Sequence, residues 1–556
     1  MQIATVGVFL DRKEAEGKWA RGEEVWGEYW GEILGRARIP FRWLEKEGDV
    51  RDSPPDILVV ALAGEESWES LWRYAEAGGE LIVHGKVTAG IGSRLGVRQE
   101  IWLDTAYTRL PWMEDFPPLR CFDVSLWKMN TKPALVENRG ELLLHPQADG
   151  ETGILQRFAV GKGFITRWAV DIPATIVGLQ QGRKPVVEDG SPAPDGTGNL
   201  DEGILKADDG FSLDWTWDRR RTETGQPYFF FPYGDGWREA WIRELLRQVL
   251  ARGWTLPFVD TWPAGTRGVA MISLDSDLNL DISAETTLSL LGERGIRATW
   301  CMMEPGYSLA IYDQVKEAGH ELAFHFNAYE RDGGAWSEAE FARQLHWLKE
   351  AAELEQVISN KNHYTRWEGW GELFRWCETF GIRSDQSRGP SKRGNIGFLF
   401  GTCQPYFPIA RADEKNRRYD VVEIGFLTQD MNLGRWADDS MVEPLLHEVG
   451  QRRGVAHFLF HQIHLHREEP VRKGLDKLVT LARQRGFAFW TGREIAEWER
   501  LCRGVKVTGW RSNGPVVENP ADCDDAVVLV PLSGEQGRVE GETIVRYGFR
   551  CRKWVI

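Results

Sequence analysis

Hydrophobic positions fall into two alternating strand–helix series. Residues 3–10 run apolar up to Asp11, the pattern of a buried strand. Val25, Tyr29 and Ile33 then recur one helical turn apart, with Trp26, Trp30 and Leu34 beside them, so an amphipathic helix follows. The run 56–62 predicts a second buried strand. A helix through Trp68, Leu71 and Tyr74 comes next and closes at Gly78-Gly79. Strands over 79–85 and 164–170 continue the series. Residues 184–201, rich in Pro, Gly and Asp, predict a long exposed loop. A helix carrying Trp237, Trp241, Leu245 and Val249 on one side ends near Gly253. This series predicts a flavodoxin-like, doubly wound parallel sheet over residues 1–255.

The second series starts after Thr261-Trp262-Pro263. Strands are expected at 270–275, 297–303, 321–326, 358–363, 382–385, 421–426, 457–461 and 487–491. Helices are expected at 285–294, 308–318, 338–354, 367–379 and 470–485, with Ser337 and Glu340 as a capping box. Such a succession predicts an α/β fold of the distorted (β/α)7-barrel type over 256–504, with chemistry at the C-terminal ends of its strands. Residues 505–556 alternate between Gly-containing turns and predict a small β appendage.

Composition narrows the partners. A chain of 556 residues with 42% hydrophobic and 27% charged positions is globular. Its 68 Lys+Arg against 83 Asp+Glu give a net charge of -15, which argues against nucleic acid and anionic membranes. The seven cysteines are dispersed, odd in number and free of a Cys-x-x-Cys pair, so reduced thiols are expected rather than disulfides or thiolate zinc. With no apolar run of membrane length and no basic stretch ahead of the first strand, a cytoplasmic location is expected. Most of the 27 tryptophans are expected in cores, although indole faces also suit sugar rings.

Polar residues stand where the second series of strands ends: Asp275, Asp277, His325, His363, Asp385, Glu423 and His461. Imidazoles and carboxylates converging on one barrel mouth suit a zinc-like or other first-row divalent metal.

These segments resemble the polysaccharide deacetylase family of metal-dependent carbohydrate esterases. Ser273-Leu274-Asp275-Ser276-Asp277 is similar to that family's first motif, with Asp275 at the general-base position and Asp277 one residue beyond the ligand position. Gly319-His320-Glu321-Leu322-Ala323-Phe324-His325 resembles the second motif; His325 matches its first ligand, and Tyr329 replaces its second. Asn362-His363-Tyr364-Thr365-Arg366-Trp367 looks like a stretch of divergent members, and Leu459-Phe460-His461 matches the last motif. The resemblance implies Asp275 as base and His461 as general acid, with Asp277, His325 and His363 on a metal. The exchange of Asp275 and Asp277 is left open, and His464 and His466 compete for the acid role. Tyr364, Arg366, Asp385 and His464 are expected on the substrate side, Asp385 orienting or tuning the catalytic groups. Zn2+ is expected, with Co2+, Ni2+ or Mn2+ as alternatives. The implied activity removes an acyl group from an N-acylated sugar or glycoconjugate. Two rivals stay open: hydrolysis of a non-sugar C–N amide bond, and an inactive carbohydrate-binding or scaffold protein.

Residues 1–255 resemble a class I glutamine amidotransferase-like domain in pattern only. The nucleophile elbow is missing after Val83-His84-Gly85-Lys86, and Cys121 lies in no such motif. A degenerate domain that packs, forms homo-oligomers or shapes the neighbouring site is expected.

Overall fold

The computed structural model describes residues 2–129, 134–198, 203–434, 437–511, 514–519, 523–533 and 541–556. Its architecture is mixed α/β. In the first sheet, parallel strands Arg42–Leu44, Val6–Leu10, Ile57–Leu62, Glu80–His84 and Gly163–Trp168 lie side by side in that order. Val6–Leu10, Ile57–Leu62 and Glu80–His84 are short and mostly apolar, as strands covered on both faces must be. The sheet then continues antiparallel through Glu151–Val160, Leu135–Leu143, Val97–Arg109 and Leu119–Met129. This antiparallel half is an addition to the expected parallel sheet. Its longest strand, Val97–Arg109, alternates exposed and half-buried positions, a pattern that needs cover on one face only.

The helix Tyr233–Ala251 leads to the second sheet. Strands Val422–Glu423, Ser384–Asp385, Ser359–Asn362, Glu321–Phe326, Thr299–Met302, Gly268–Asp275, Val455–His461 and Thr428–Gln429 are parallel neighbours in that order, and Phe487–Phe489 also pairs with Gly268–Asp275. Its two outermost strands are joined by residues 424–427 alone. So short a link spans less than ~20 Å, so the sheet curls into an incomplete barrel. Helices Asp281–Arg294, Leu309–Glu317, Glu338–Ala351, Glu372–Phe380 and Glu469–Gln484 fall where the periodicity placed them. Ser337 caps the third, accepting the Glu340 N–H at 3.3 Å.

Buried charge locks the two sheets together. Glu499 of the barrel pairs with Arg36 and Arg38, and Arg503 Nη1 lies 2.6 Å from Glu32. The loop from 184 is pinned rather than free: Val186 bridges Gly369, and Asp208 accepts from Ser391 and Asn395. Residues 199–201 of that stretch fall outside the described residues. At the C-terminal end, Val527–Pro531, Thr543–Arg546 and Phe549–Val555 form a small antiparallel sheet, joined by Phe258–Val259. All seven cysteines are unpaired and buried. Among the described residues no helix is long and apolar enough to cross a membrane.

Candidate active site

Period-two alternation explains why the polar residues meet. Ser273 and Asp275 share one face of their strand, as do Ser359 and Lys361, and His457 and His461. The intervening Leu274, Phe458 and Phe460 are buried on the opposite side. The inward faces stack as layers. Deepest, Glu321 accepts from Ser359 Oγ at 2.6 Å and Thr299 Oγ1 at 2.9 Å. Above it, Ser273 Oγ accepts from Lys361 Nζ at 2.8 Å. The Ser273 hydroxyl in turn donates to His457 Nε2 at 2.8 Å, whose Nδ1–H is given to the Ile424 carbonyl. Burial, then Lys361, holds the His457 pKa well below the ordinary imidazole value, so this histidine is a neutral spacer.

At the mouth, one ligand atom each of Asp277, His325 and His363 lies within 4.8 Å of the others. His325 is wholly buried and gives its Nδ1–H to the Lys361 carbonyl at 3.0 Å. That bond fixes the tautomer and leaves the Nε2 lone pair bare, the orientation metal-binding histidines adopt. His325 Nε2 and Asp277 Oδ1 are buried without a hydrogen-bond partner and stand 3.5 Å apart. Asp277 Oδ2 is 3.7 Å from His363 Nε2 and 3.5 Å from His461 Nε2. Although burial opposes it, His461 foremost holds the Asp277 pKa well below the carboxylate range. Unpaired donor atoms of the right chemistry, gathered in one place, fit a divalent cation with nitrogen and oxygen ligands.

Asp275 stands on one flank, 96% buried. Its Oδ2 is 3.7 Å from His325 Nε2, and its Oδ1 is 3.5 Å from Lys361 Nζ. On the other flank Asp430 Oδ1 accepts the His461 backbone N–H at 2.9 Å. Its Oδ2 accepts from His461 Nδ1 and, at 2.9 Å, from His464 Nδ1. Burial works against a charged His461, but Asp430 and then Asp277 outweigh it and push its pKa up to about 10. A cation on Asp277 would offset that carboxylate and leave Asp430 as the group keeping His461 protonated. Asp277, Tyr364, Thr365 and Asp430 all have positive φ (25°, 56°, 53° and 35°). Such strain gathers where side chains are held for function rather than for stability.

Asp275, Asp277, Lys361, His363 and His461 line a cavity of about 510 Å³, while His325 and Asp430, wholly buried, hold their places from outside its lining. Tyr329, Tyr364 and His464 also line it, and Ile204 and Lys206 reach it from the loop that follows the first sheet. Tyr329, at the position of a missing histidine, packs edge-on to Tyr364 with ring centroids 5.3 Å apart. Among the described residues no tryptophan lines this cavity.

Two expectations need correction. Asp385 does not reach the cavity. In register with Asn360, it lies on the face opposite Ser359 and Lys361 and accepts from Asn360 Nδ2 at 2.7 Å and Ser387 Oγ at 2.9 Å. The carboxylate that holds His461 is that of Asp430. Arg366 is likewise outside the cavity wall, because its guanidinium is held by Glu330 and Glu368. Two residues were missed. Lys361 had a legible signal, a charge in the middle of a strand predicted to be buried. Asp430 had none, since its strand, Thr428–Gln429, is too short to show periodicity.

No protein-family model matches the chain, and no curated protein matches it. Among solved structures it is similar to a candidate polysaccharide deacetylase involved in O-antigen biosynthesis from Bordetella bronchiseptica (17% identity, 39% of this chain, 91% of that one, TM-score 0.26). It is also similar to the Xyl-CE4 domain of a multidomain xylanase from the hindgut metagenome of Trinervitermes trinervoides (13% identity, 44% and 98%, TM-score 0.25). A third similarity is to a GH42 β-galactosidase from G. stearothermophilus (15% identity, 30% and 28%, TM-score 0.23). At such scores these likenesses say nothing of chemistry, which stands on the residues of the site.

Proposed function

We propose that the chain is a metal-dependent hydrolase of the deacetylase type, acting on an N-acylated sugar or glycoconjugate. One observation carries this reading: the Asp277–His325–His363 set lies between a carboxylate beside a buried lysine and a histidine backed by a buried aspartate, at one cavity that Asp275, Asp277, His363 and His461 line. Residues 256–504 would carry the chemistry, and residues 1–255 would complete the wall through Ile204 and Lys206.

Asp277, His325 and His363 would hold the cation. When bound, a divalent metal supplies Lewis acidity for the acyl carbonyl and lowers the pKa of an attacking water toward neutrality. Asp275, beside Lys361, takes the water's proton. His461 gives its Nε2 proton to the departing nitrogen, while Asp430 holds the ring through Nδ1. Tyr329 and Tyr364 offer flat faces to a sugar ring. The direct test is acetate release from N-acetylglucosamine oligomers by protein loaded in turn with Zn2+, Co2+, Ni2+ and Mn2+. Stoichiometric metal without acetate from any acylated sugar would turn the reading toward a non-sugar amide. Protein that takes up no metal would be an inactive binding module.

The role of Asp430 predicts a particular pH response. His461 works as an acid only while protonated, and the adjacent carboxylate raises its pKa. In Asp430→Asn the alkaline limb of kcat should move to lower pH, by ~1–3 units, with metal content unchanged. A limb that stays in place assigns the acid to another group.

The first sheet is assigned no glutaminase chemistry. Burial pushes the Cys121 thiol pKa well above its ordinary value, so it is no nucleophile. Cys121→Ser should leave hydrolysis unchanged, and glutamate should not form from glutamine with either protein.

A further inference from the structure

A second cavity, of about 500 Å³, lies in the first sheet and shares no residue with the barrel mouth. It opens at the C-terminal ends of Ile57–Leu62 and Glu80–His84, beside the reversal of strand order next to Val6–Leu10. Ligands of open parallel sheets bind at such a place.

Its wall carries three buried polar atoms without a hydrogen-bond partner: Trp68 Nε1, His84 Nδ1 and Thr88 Oγ1. His84 is only 9% exposed and Trp68 only 5%. The indole N–H of Trp30 donates to His84 Nε2 at 2.9 Å, so the ring's own hydrogen is on Nδ1. The nearest acceptor, Asp171 Oδ1, is 3.4 Å away, makes no hydrogen bond to it, and already accepts the Ala174 N–H. Buried donors are rarely left unpaired, and three on one cavity point to an absent acceptor.

The rest of the wall says what kind of acceptor. Carboxylates outnumber cations by four to two, which disfavours an anion. Glu65 and Asp171 can accept hydroxyls, and Trp102, 49% exposed, offers an indole face at the rim. Donors, carboxylates and an open aromatic face together suit a ring that carries hydroxyls. We infer that this crevice binds a neutral sugar, its oxygens on Trp68, His84 and Thr88 and its ring against Trp102. The site is independent of the chemistry proposed for the barrel.

The test titrates the full chain with D-glucose and with D-galactose, which lack the acyl group proposed to be read at the barrel, followed by saturation-transfer NMR and calorimetry. One of them should bind saturably. Thr88→Val removes a hydroxyl that caps no backbone group and should weaken Kd by roughly three- to tenfold. Trp102→Ala, at an exposed position, should weaken it at least as much, while Asp277→Asn at the barrel mouth should leave it unchanged. The inference is overturned if neither sugar binds, if binding ignores Thr88→Val and Trp102→Ala, or if a structure solved with the sugar shows only water on the three donors.

Discussion

His325→Ala should strip the protein of its divalent metal and leave it folded. His325 presents a bare Nε2 to the site because its Nδ1–H is committed to the Lys361 carbonyl. Losing it leaves Asp277 and His363 alone, and two ligands do not hold a first-row cation against buffer. The affinity loss should exceed the ~10–100-fold typical of groups that only orient a ligand. Elemental analysis after dialysis measures it, and a thermal melt checks the fold. His363→Ala should behave alike, although His363 carries a further unpaired buried atom, Nδ1, and its ring packs on Tyr364 at 4.1 Å. If both variants keep full occupancy, this ligand set is wrong. Asp430, His461 and His464 are then the alternative, being also close enough together to hold a cation.

Asp275→Asn should keep the metal and lose turnover. The amide preserves shape but cannot take a proton, and general acid–base groups are worth ~10²–10⁴-fold in rate. kcat should fall by that factor with KM little changed, as for an interaction made mainly in the transition state. The neighbourhood makes the variant informative. Lys361 lies 3.5 Å from Asp275 and is almost wholly buried, so removing the carboxylate's charge leaves that ammonium with less compensation. Some loss of stability is therefore expected beside the loss of rate, and the double variant Asp275→Asn/Lys361→Met should regain stability without regaining turnover. Loss of metal from Asp275→Asn alone would mean that Asp275 and Asp277 have exchanged roles. The distances bear on that choice. Asp277 Oδ2 faces both His363 and His461, whereas Asp275 turns one oxygen to His325 and the other to Lys361.

Much of this arrangement was legible in the chain. Asp275 and His461 each close a strand whose apolar period is plain, His325 is the last inward residue of another, and a parallel strand delivers its last inward residue to the barrel mouth. The helices between those strands were equally readable, since a 3.6-residue stripe depends only on local sequence. The antiparallel half of the first sheet was not read. It pairs Val97–Arg109 with a strand beginning at Leu119 and with another beginning at Leu135, and half-buried alternation does not say which neighbour a strand will take.

The sequence by itself determined which residue types reach the mouth of the barrel, because alternation and strand length are local properties. Only the tertiary structure decided which of them touch. Asp385 and Asp430 both follow short strands, yet strand register drops Asp385 beside Asn360 while the last turn of the sheet carries Asp430 onto His461. Lys361 looked like a polar residue on a strand until the curl of the sheet set it against Asp275. Ile204 and Lys206 reach the same cavity from just beyond the segment 184–201, which composition marks as an exposed loop. In each case the contact joins segments far apart in the chain. Its geometry depends on how the strands are staggered and how tightly the sheet closes, and no local pattern of residues encodes either.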